Sequence, residues 1–223
     1  MTTWFSSDPH FGHRAITDYA GRPFRDADGE PDPEVMDAAL VEAWNARVAP
    51  DDDAFMLGDI ALGGIARTLP IIGRLNGRIT LLWGNHDRGF AGRTKVDQGA
   101  RRRYLEAGFV EIHDETTVEI AGHVVVLSHF PYDGDSHGPD RYRAHRPVDR
   151  GGWVVHGHVH QAWRQRGRQI NVGVDAWAGR PVALDELAEL IAAGPRDLAP
   201  LPWAHHGQVG YVRDPRAALP SSA

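Results

Sequence analysis

Five short apolar runs in this chain each end in a polar or glycine-rich segment, and this repeated pattern limits the folds open to it. The runs occupy residues 3–7, 54–57, 79–83, 124–127 and 153–155. They end in Asp8-Pro9-His10, Gly58-Asp59, Gly84-Asn85-His86-Asp87, Ser128-His129 and His156-Gly157-His158. Short apolar runs bounded in this way are typical of buried strands. Ligands of layered α/β proteins bind at the carboxyl ends of strands, so the pattern predicts a polar site there.

A helical pattern separates the first two predicted strands. Met36, Leu40, Trp44 and Val48 recur at every fourth position, which predicts a helix over residues 33–48 with one apolar side. Pro33 suits the first turn of that helix, because its missing amide hydrogen has no partner there. Shorter helices are predicted over residues 70–75 and 101–107.

The second half of the chain predicts further strands and a closing helix. Strands are expected over residues 110–112, 116–120 and 123–127, with a turn at 121–122. A helix is expected over residues 185–193, with Asp185 as its N-cap and Gly194 as its stop.

The cysteine and histidine contents restrict the chemistry. The 223 residues contain no cysteine, which excludes disulfides, thiolate-bound zinc, iron–sulfur clusters and cysteine nucleophiles. The 13 histidines provide imidazole for metal binding or proton transfer. The formal net charge of -6 argues against a general polyanion-binding surface, although a local basic groove is compatible with it.

The chain length is that of one domain or two small ones. We expect one domain over residues 1–194, followed by a Pro/Ala-rich tail over 195–223 that is draped on the surface or partly disordered. The N-terminus lacks a basic region followed by a long apolar stretch, and no run reaches membrane-spanning length. The expectation is a cytoplasmic protein without membrane partners.

Seven residues at or near the ends of the predicted strands are candidate metal ligands. Asp8 and His10 lie two positions apart, as do His158 and His160, and such pairs point the same way on an extended chain. The full set is Asp8, His10, Asp59, Asn85, His129, His158 and His160. Seven ligands are too many for one catalytic ion that keeps open positions, but they suit two ions if one carboxylate bridges.

Taken in order, these segments resemble the five sequence blocks of the calcineurin-like metallophosphoesterase superfamily. The match spans residues 8–160. Within the superfamily the chain is most similar to compact prokaryotic and phage phosphoesterases, which share three further segments. These are the extended first block at 7–13, Trp-Asn at 44–45 and Asn-Val-Gly-Val-Asp at 171–175.

The resemblance implies an α/β fold with four layers, an αββα sandwich of two mixed β-sheets flanked by helices. It also implies a centre with two metal ions. Asp8, His10 and His160 would hold one ion, Asn85, His129 and His158 the other, and Asp59 would bridge them. None of the seven positions is substituted.

Oxygen and imidazole ligands suit divalent transition metals. Mn is the first expectation, and Fe, Zn and Ni are alternatives. A water held between two ions about 3.5–4 Å apart becomes a hydroxide near neutral pH and attacks phosphorus in line with the leaving oxygen.

Four further residues are candidates for catalysis or substrate binding. By resemblance, His86 is the general acid or the charge stabiliser at the leaving group. Asp87 either orients the His86 imidazole or caps a turn. His13 either reaches the substrate phosphate or packs on the following helix. Arg22 either clamps a phosphate or is a solvated loop residue.

Three functions remain open at this point. The first is a phosphoesterase acting on a small phosphorylated or nucleotide-like molecule. The second is a phosphodiesterase or nuclease acting on a cyclic nucleotide or nucleic acid, and the third is a non-catalytic scaffold. Three arginine patches bear on the nuclease alternative, and each is either a solvated face or part of a nucleic-acid track. They comprise Arg101, Arg102 and Arg103; Arg141, Arg143 and Arg146; and Arg164, Arg166 and Arg168.

Overall fold

A computed structural model describes residues 1–203 and contains two five-stranded sheets. The first sheet is built from β1 (Thr3–Ser6), β2 (Asp53–Met56), β3 (Arg78–Leu82), β4 (Glu111–His113) and β10 (Val182–Ala183). Their spatial order is β10-β1-β2-β3-β4. The strands β1 to β4 are parallel, and β10 is antiparallel to β1.

The register of the first sheet places the ends of its strands side by side. Ser6 of β1 pairs with Met56 of β2, and Met56 pairs with Leu81 of β3. Because parallel strands end at the same edge, the segments that follow these residues leave the sheet together. The register therefore brings residues that are distant in sequence to one site.

The second sheet has the order β5-β6-β7-β9-β8 and is also mixed. It comprises β5 (Glu115–Ile120), β6 (His123–Ser128), β7 (Trp153–His156), β8 (Gln165–Arg166) and β9 (Gln169–Asn171). The pairs β6–β7 and β7–β9 are parallel, whereas β5–β6 and β8–β9 are antiparallel.

Within residues 1–203, five α-helices accompany the sheets: α1 (Ile16–Tyr19), α2 (Pro33–Asn45), α3 (Ile65–Thr68), α4 (Ala100–Ala107) and α5 (Leu184–Ala192). Short 3₁₀ helices occupy Leu69–Arg74, Arg143–His145 and Val174–Ala176. The predicted α/β class, with two mixed sheets and flanking helices, is confirmed.

Strand alternation divides the core into two clusters. Met56 and Leu81 belong to a cluster with the apolar side of α2, represented by Met36. The residues that follow them, Leu57 and Leu82, belong to a second cluster with residues of the second sheet. The first sheet is therefore buried on both faces, which explains why its strands are nearly continuous apolar runs.

The first long helix is shorter than its periodicity predicts. Asp32 caps α2, since its carboxylate accepts hydrogen bonds from the amides of Glu34 and Val35. The helix ends at Asn45 and not near Val48, yet Val48 is still buried in the same core cluster. The apolar spacing thus identifies the buried side correctly but overestimates the length.

Two local predictions about helices need correction. The segment predicted as a helix over residues 70–75 is the 3₁₀ helix Leu69–Arg74. Asp185 is not the N-cap of α5, because the helix begins at Leu184 and Asp185 lies in its first turn. The amide of Ala183 instead donates to the Glu186 carboxylate. Gly194, with φ of +85°, follows the helix end as expected.

The segment after α5 is described only as far as residue 203. Leu198 forms an antiparallel bridge with Gln165, and Leu201 bridges Trp177. The rest of the predicted tail, residues 204–223, lies outside the described residues. Within residues 1–203, every helix is too short or too polar to cross a bilayer.

Candidate metal centre

The seven candidate ligands follow strands or lie in the loops just beyond them. Asp8 follows β1, and its amide donates to the Gly58 carbonyl, 3.0 Å away, just after β2. Asn85 follows β3, His129 follows β6, and His158 and His160 follow β7. The fold thus brings the ends of five strands, drawn from both sheets, to one place.

The backbone at the ligand pairs differs from the prediction. Asp8 and His10 do not lie on an extended chain, and neither do His158 and His160, because the strands end before them. Eight non-glycine residues within 1–203 have a positive φ, and five of these are candidate ligands: Asp8, His10, Asp59, His158 and His160. Such left-handed residues cost free energy and cluster at functional sites. The bent backbone at these residues, and not the alternation of a strand, sets the directions of their side chains.

Two groups of side chains have the spacing of metal sites. Asp8, His10 and His160 form one group, and Asp8, Asp59 and His129 form the other. Within each group the donor atoms lie within 4.8 Å of one another. The two groups share Asp8, so the two sites adjoin.

Asp59 belongs to the second group and also approaches the first. Its Oδ2 is 3.6 Å from His10 Nε2 and 3.5 Å from His129 Nε2. His129 Nε2 is in turn 3.1 Å from Asn85 Oδ1. One carboxylate oxygen therefore faces imidazoles of both groups, as a bridging ligand must.

The donor set fits a bound cation on electrostatic grounds. Asp8 Oδ1 and His10 Nε2 are buried, and neither has a hydrogen-bond partner within the described part of the chain. Burial, reinforced by the charge of nearby Asp8, raises the pKa of Asp59 to about 6. Unpaired buried polar atoms and crowded carboxylates are costly unless a cation compensates them.

The position of Arg22 matches neither of the two roles expected from the sequence. Its guanidinium is buried and forms a two-pronged ion pair with Asp175. The same group donates to the backbone carbonyls of Asp8 and Pro9. Because all three guanidinium nitrogens are engaged, both the phosphate clamp and the solvated loop residue are wrong, and Arg22 instead fixes the backbone of the first block.

The buried acid Asp175 connects Arg22 to the proposed centre. Its Oδ2 lies 2.8 Å from His160 Nδ1, which leaves Nε2 of that ring for a metal. Burial lowers the pKa of His160, but the hydrogen bond to Asp175 and the charges of Asp8 and Asp175 outweigh it, so the pKa is raised. Asp175 is the last residue of the Asn-Val-Gly-Val-Asp segment, and that segment was the only indication in the sequence that Asp175 belongs to the site.

His158 and His129 are oriented in the same manner. The Nε2 atom of His158 is 3.0 Å from the Asp135 carboxylate, so only Nδ1 remains for a metal. Nδ1 of His129 lies 2.7 Å from the Leu57 carbonyl, which directs Nε2 toward Asp59. Asp135 also pairs with Arg141 and Arg146. Nothing in the sequence around Asp135 indicated this function.

Asp87 does not orient the His86 imidazole, which corrects the catalytic expectation. Its fully buried carboxylate accepts hydrogen bonds from the amides of Gly84, Asp59 and Ile60 and from the Tyr104 hydroxyl. Burial, together with the charge of Asp59, raises the pKa of Asp87 to about 6. Asp87 is therefore a turn cap, the alternative expectation.

His86 and His13 lie next to the proposed ligands. The His86 side chain is 42% exposed, and its Nε2 is 3.9 Å from Asp59 Oδ2. Its backbone amide donates to Asp59 Oδ1, which fixes the residue beside the site. The rings of His13 and His10 are 5.5 Å apart. Both histidines are thus near enough to contact a substrate bound at the centre.

Most of the predicted arginine patches have partners within the chain. Arg102 and Arg103 pair with Glu106 and Asp97. Arg166 pairs with Asp133, and its guanidinium lies 4.2 Å from the centroid of the Trp163 ring. These contacts reduce the charge that such arginines offer to a nucleic acid.

Comparison with known proteins agrees with this geometry. The family model of the calcineurin-like phosphoesterases matches residues 1–162, most of the chain. The chain belongs to this family, and its class is that of metal-dependent phosphoester hydrolases.

Related chains span most of the same length. The Gene 66 protein of Mycobacterium phage L5 is 36% identical over 205 residues, covering 85% of this chain and 93% of that protein. An uncharacterized protein of Methanocaldococcus jannaschii is 27% identical over 197 residues, covering 84% of this chain and 90% of its own. A crystal structure of a protein of unknown function from Aquifex aeolicus shares the fold, with a TM-score of 0.61 and 24% identity over 85% of this chain and 98% of that one.

Proposed function

We propose that the protein uses two metal ions to hydrolyse a phosphate ester of a small phosphorylated or nucleotide-like molecule. The observation that carries the proposal is the position of Asp59 Oδ2 between His10 Nε2 and His129 Nε2, at 3.6 and 3.5 Å. A carboxylate shared in this way joins two adjacent groups of ligands. Two adjoining cation sites stabilise both the attacking and the leaving oxygen of an in-line displacement at phosphorus.

The ligands divide between two ions. Asp8, His10 and His160 would hold one ion, Asn85, His129 and His158 the other, and Asp59 would bridge them. Bound divalent ions supply Lewis-acid polarisation of the phosphoryl oxygens and lower the pKa of water at the site. Mn is the metal to supply first, with Fe, Zn and Ni as the other candidates for this oxygen and nitrogen donor set.

The charge of the site favours a phosphate even though the protein is acidic. Two divalent ions carry four positive charges, and the carboxylates of Asp8 and Asp59 return two negative ones. The excess of positive charge lies in a buried site, where electrostatic attraction is screened least. The net charge of -6 on the whole chain therefore does not prevent phosphate binding.

His86 is the residue we assign to the leaving group. Its imidazole lies at the exposed rim of the site, while its amide is held by Asp59. It would act there as a general acid or as a charge stabiliser, and a general acid contributes about 10²–10⁴-fold to such reactions. His13, at the same rim, is the candidate for contact with the phosphate of the substrate.

The test compares an aryl phosphate monoester with an aryl phosphodiester, using protein loaded with Mn. Faster turnover of the monoester is expected, whereas preferential cleavage of the diester would favour the phosphodiesterase or nuclease alternative. Absence of turnover on either ester with two metal equivalents bound would support a scaffold.

The variant His86→Asn isolates the role of the rim histidine. Its turnover of the monoester should fall by about 10²-fold or more, while its metal content, measured by elemental analysis, stays near two equivalents. His113→Asn is the matched control, because His113 is a partly exposed histidine that pairs with Glu111 on β4. Loss of metal from His86→Asn would show that His86 is a ligand.

A small phosphorylated substrate, the absence of membrane partners and a cytoplasmic location stay predictions. The oligomeric state is open. Nucleic acid remains the alternative substrate, and the comparison of monoester and diester addresses it.

A further inference from the structure

A basic cavity of about 600 Å³ opens beside Asn85, and the reaction proposed above makes no use of it. Arg88, Arg93 and Lys95 contribute its charged groups, and Tyr142 forms part of its wall. The described residues that line the cavity include three cations and no carboxylate. Such a lining is suited to an anion.

Carboxylates in the surroundings are bound to other partners. Asp97 follows the loop that carries Lys95, but its side chain forms an ion pair with Arg103 and accepts the amide of Gly99. Asp135, on the loop that leads to Tyr142, is paired with Arg141. The positive charge of the cavity is therefore not cancelled by these two acids.

The cavity is attached to the proposed centre through Arg93. Its Nη1 donates to the carbonyl oxygens of Asn85 and His86, at 3.3 and 3.1 Å. Asn85 is a candidate ligand, and His86 is the group assigned to the leaving oxygen. The cationic cavity therefore adjoins both a candidate ligand and the residue assigned to the leaving group.

We propose that this cavity binds a second phosphate, carried by the leaving group of a small substrate. The proposal rests on the proposed function, because it needs the reacting phosphate to lie at the metal centre. It narrows the substrate class from phosphate monoesters in general to small bisphosphorylated molecules. Because three cationic residues line the cavity, we expect the protein to prefer the more highly charged substrate although its own net charge is negative.

Two nucleotides that differ only in the second phosphate provide the test. In adenosine 3′,5′-bisphosphate the reacting 3′-phosphate has a phosphorylated leaving group, whereas in adenosine 3′-monophosphate it does not. The two compounds compete with aryl phosphate turnover by the Mn-loaded protein, and calorimetry measures their binding independently of turnover. The bisphosphate should bind about tenfold or more tightly, and the difference should shrink as salt is raised.

The double variant Arg88→Gln/Lys95→Gln tests whether the cavity causes the preference for the bisphosphate. Its preference for the bisphosphate should fall to about twofold or less, whereas Arg102→Gln should keep the wild-type preference. Arg102 is the matched control because it is an exposed arginine on α4 that pairs with Glu106. Arg93 is left intact, since its contacts with Asn85 and His86 would disturb the centre itself.

The outcomes separate this proposal from the function on which it rests. Equal binding of the two nucleotides by protein that turns over the aryl phosphate overturns the second-phosphate site alone. An unchanged preference in the double variant also overturns it. Stronger competition by a short oligonucleotide than by the bisphosphate would contradict a small substrate. If the aryl phosphate is not turned over, the proposed function fails, and calorimetry still decides whether the cavity selects the second phosphate.

Discussion

At the scale of single residues, the first block is stabilised by a charge pair with no contact to solvent. Arg22 and Asp175 both have fully buried side chains, and their contacts reach Asp8, Pro9 and His160. Removing one member of such a pair leaves the other charge buried and uncompensated, which is far costlier than losing an exposed pair. The stability of the block therefore depends on Arg22, which is not among the proposed metal ligands.

The variant Arg22→Gln tests this dependence. The free energy of unfolding of chelator-treated protein, measured with urea, should fall by about 3–5 kcal/mol. Arg14→Gln breaks the exposed pair with Glu30 and should cost about 1 kcal/mol or less. Similar losses of unfolding free energy in the two variants would contradict a larger contribution from the buried pair.

Asp52 gives a residue-scale prediction about pH, away from the proposed centre. Hydrogen bonds from the amides of Thr2 and Ala49 and from the Trp4 indole lower the pKa of Asp52 to about 2. Because the folded pKa lies below the ordinary value of 3.8, Asp52 stabilises the fold above that pH. This stabilisation is lost as the pH falls through about 2.

The comparison of wild type with Asp52→Asn isolates that contribution. The difference in unfolding free energy should be constant between about pH 7 and 5 and should shrink below about pH 4. Urea unfolding across this pH range measures the difference. Asp53→Asn is the control, because it removes a neighbouring carboxylate. A difference that does not vary with pH would contradict the assignment.

At the scale of elements, the junction between β2 and β3 depends on two glycines in contact. A Cβ on Gly58 would lie 2.5 Å from the Cα of Gly84 and 2.9 Å from Nδ1 of His129. Gly58 also has φ of +87°, which side chains rarely adopt. The close approach of the two strand ends brings Asp59 and Asn85 together, and His129, which follows β6, packs against the same glycine.

The pair Gly58→Ala and Gly122→Ala separates steric conflict from backbone strain. Gly122, in the β5–β6 turn, has φ of +75°, but a Cβ there would meet no heavy atom of a more distant residue within 4 Å. Alanine at Gly122 should therefore cost about 1 kcal/mol. Gly58→Ala should cost several-fold more and should also lower the content of bound metal. Thermal unfolding and elemental analysis measure the two effects, and equal costs would exclude a packing role for Gly58.

At the scale of the whole molecule, the proposed centre joins the two sheets. Its residues come from the ends of β1, β2 and β3 in one sheet and of β6 and β7 in the other. Ions held by both sheets bind only the native arrangement, so they stabilise folding by mass action. Metal loading should therefore be visible in global stability.

Supplying Mn to chelator-treated protein at about 100 times its dissociation constant should stabilise the fold by about 2.7 kcal/mol for each ion bound. For a chain of this size that corresponds to a rise in Tm of about 5–10 °C. Asp59→Asn should show a much smaller rise, since it lacks the shared carboxylate. The same Tm with and without Mn in wild type would contradict a centre that links the sheets.

Local pattern was sufficient for β1 to β7 but did not predict β8, β9 or β10, and the fold class came from the family resemblance. Strand and helix periods are local properties, so a few neighbouring residues are enough to recognise them. This holds for the apolar runs, for the apolar side of α2 and for the turn at residues 121–122. The length of α2 and the cap of α5 were predicted less well. Glu186 sets the cap of α5, and α2 ends at Asn45, whose side chain bonds the backbone of Arg74 and Asn76. Periodicity reports neither contact.

The sequence alone determined most of the strands and the residue types at their ends, because these follow from local spacing and side-chain chemistry. Its family resemblance indicated the α/β class. Only the tertiary structure decided the directions of those side chains and the partners that hold them in place. Left-handed backbone turns direct Asp8 and His160, and Arg22 meets Asp175 across 153 positions of the chain. His158 likewise meets Asp135 across 23 positions. Such contacts form because folding buries charges that must then be paired, and no local period encodes the partner.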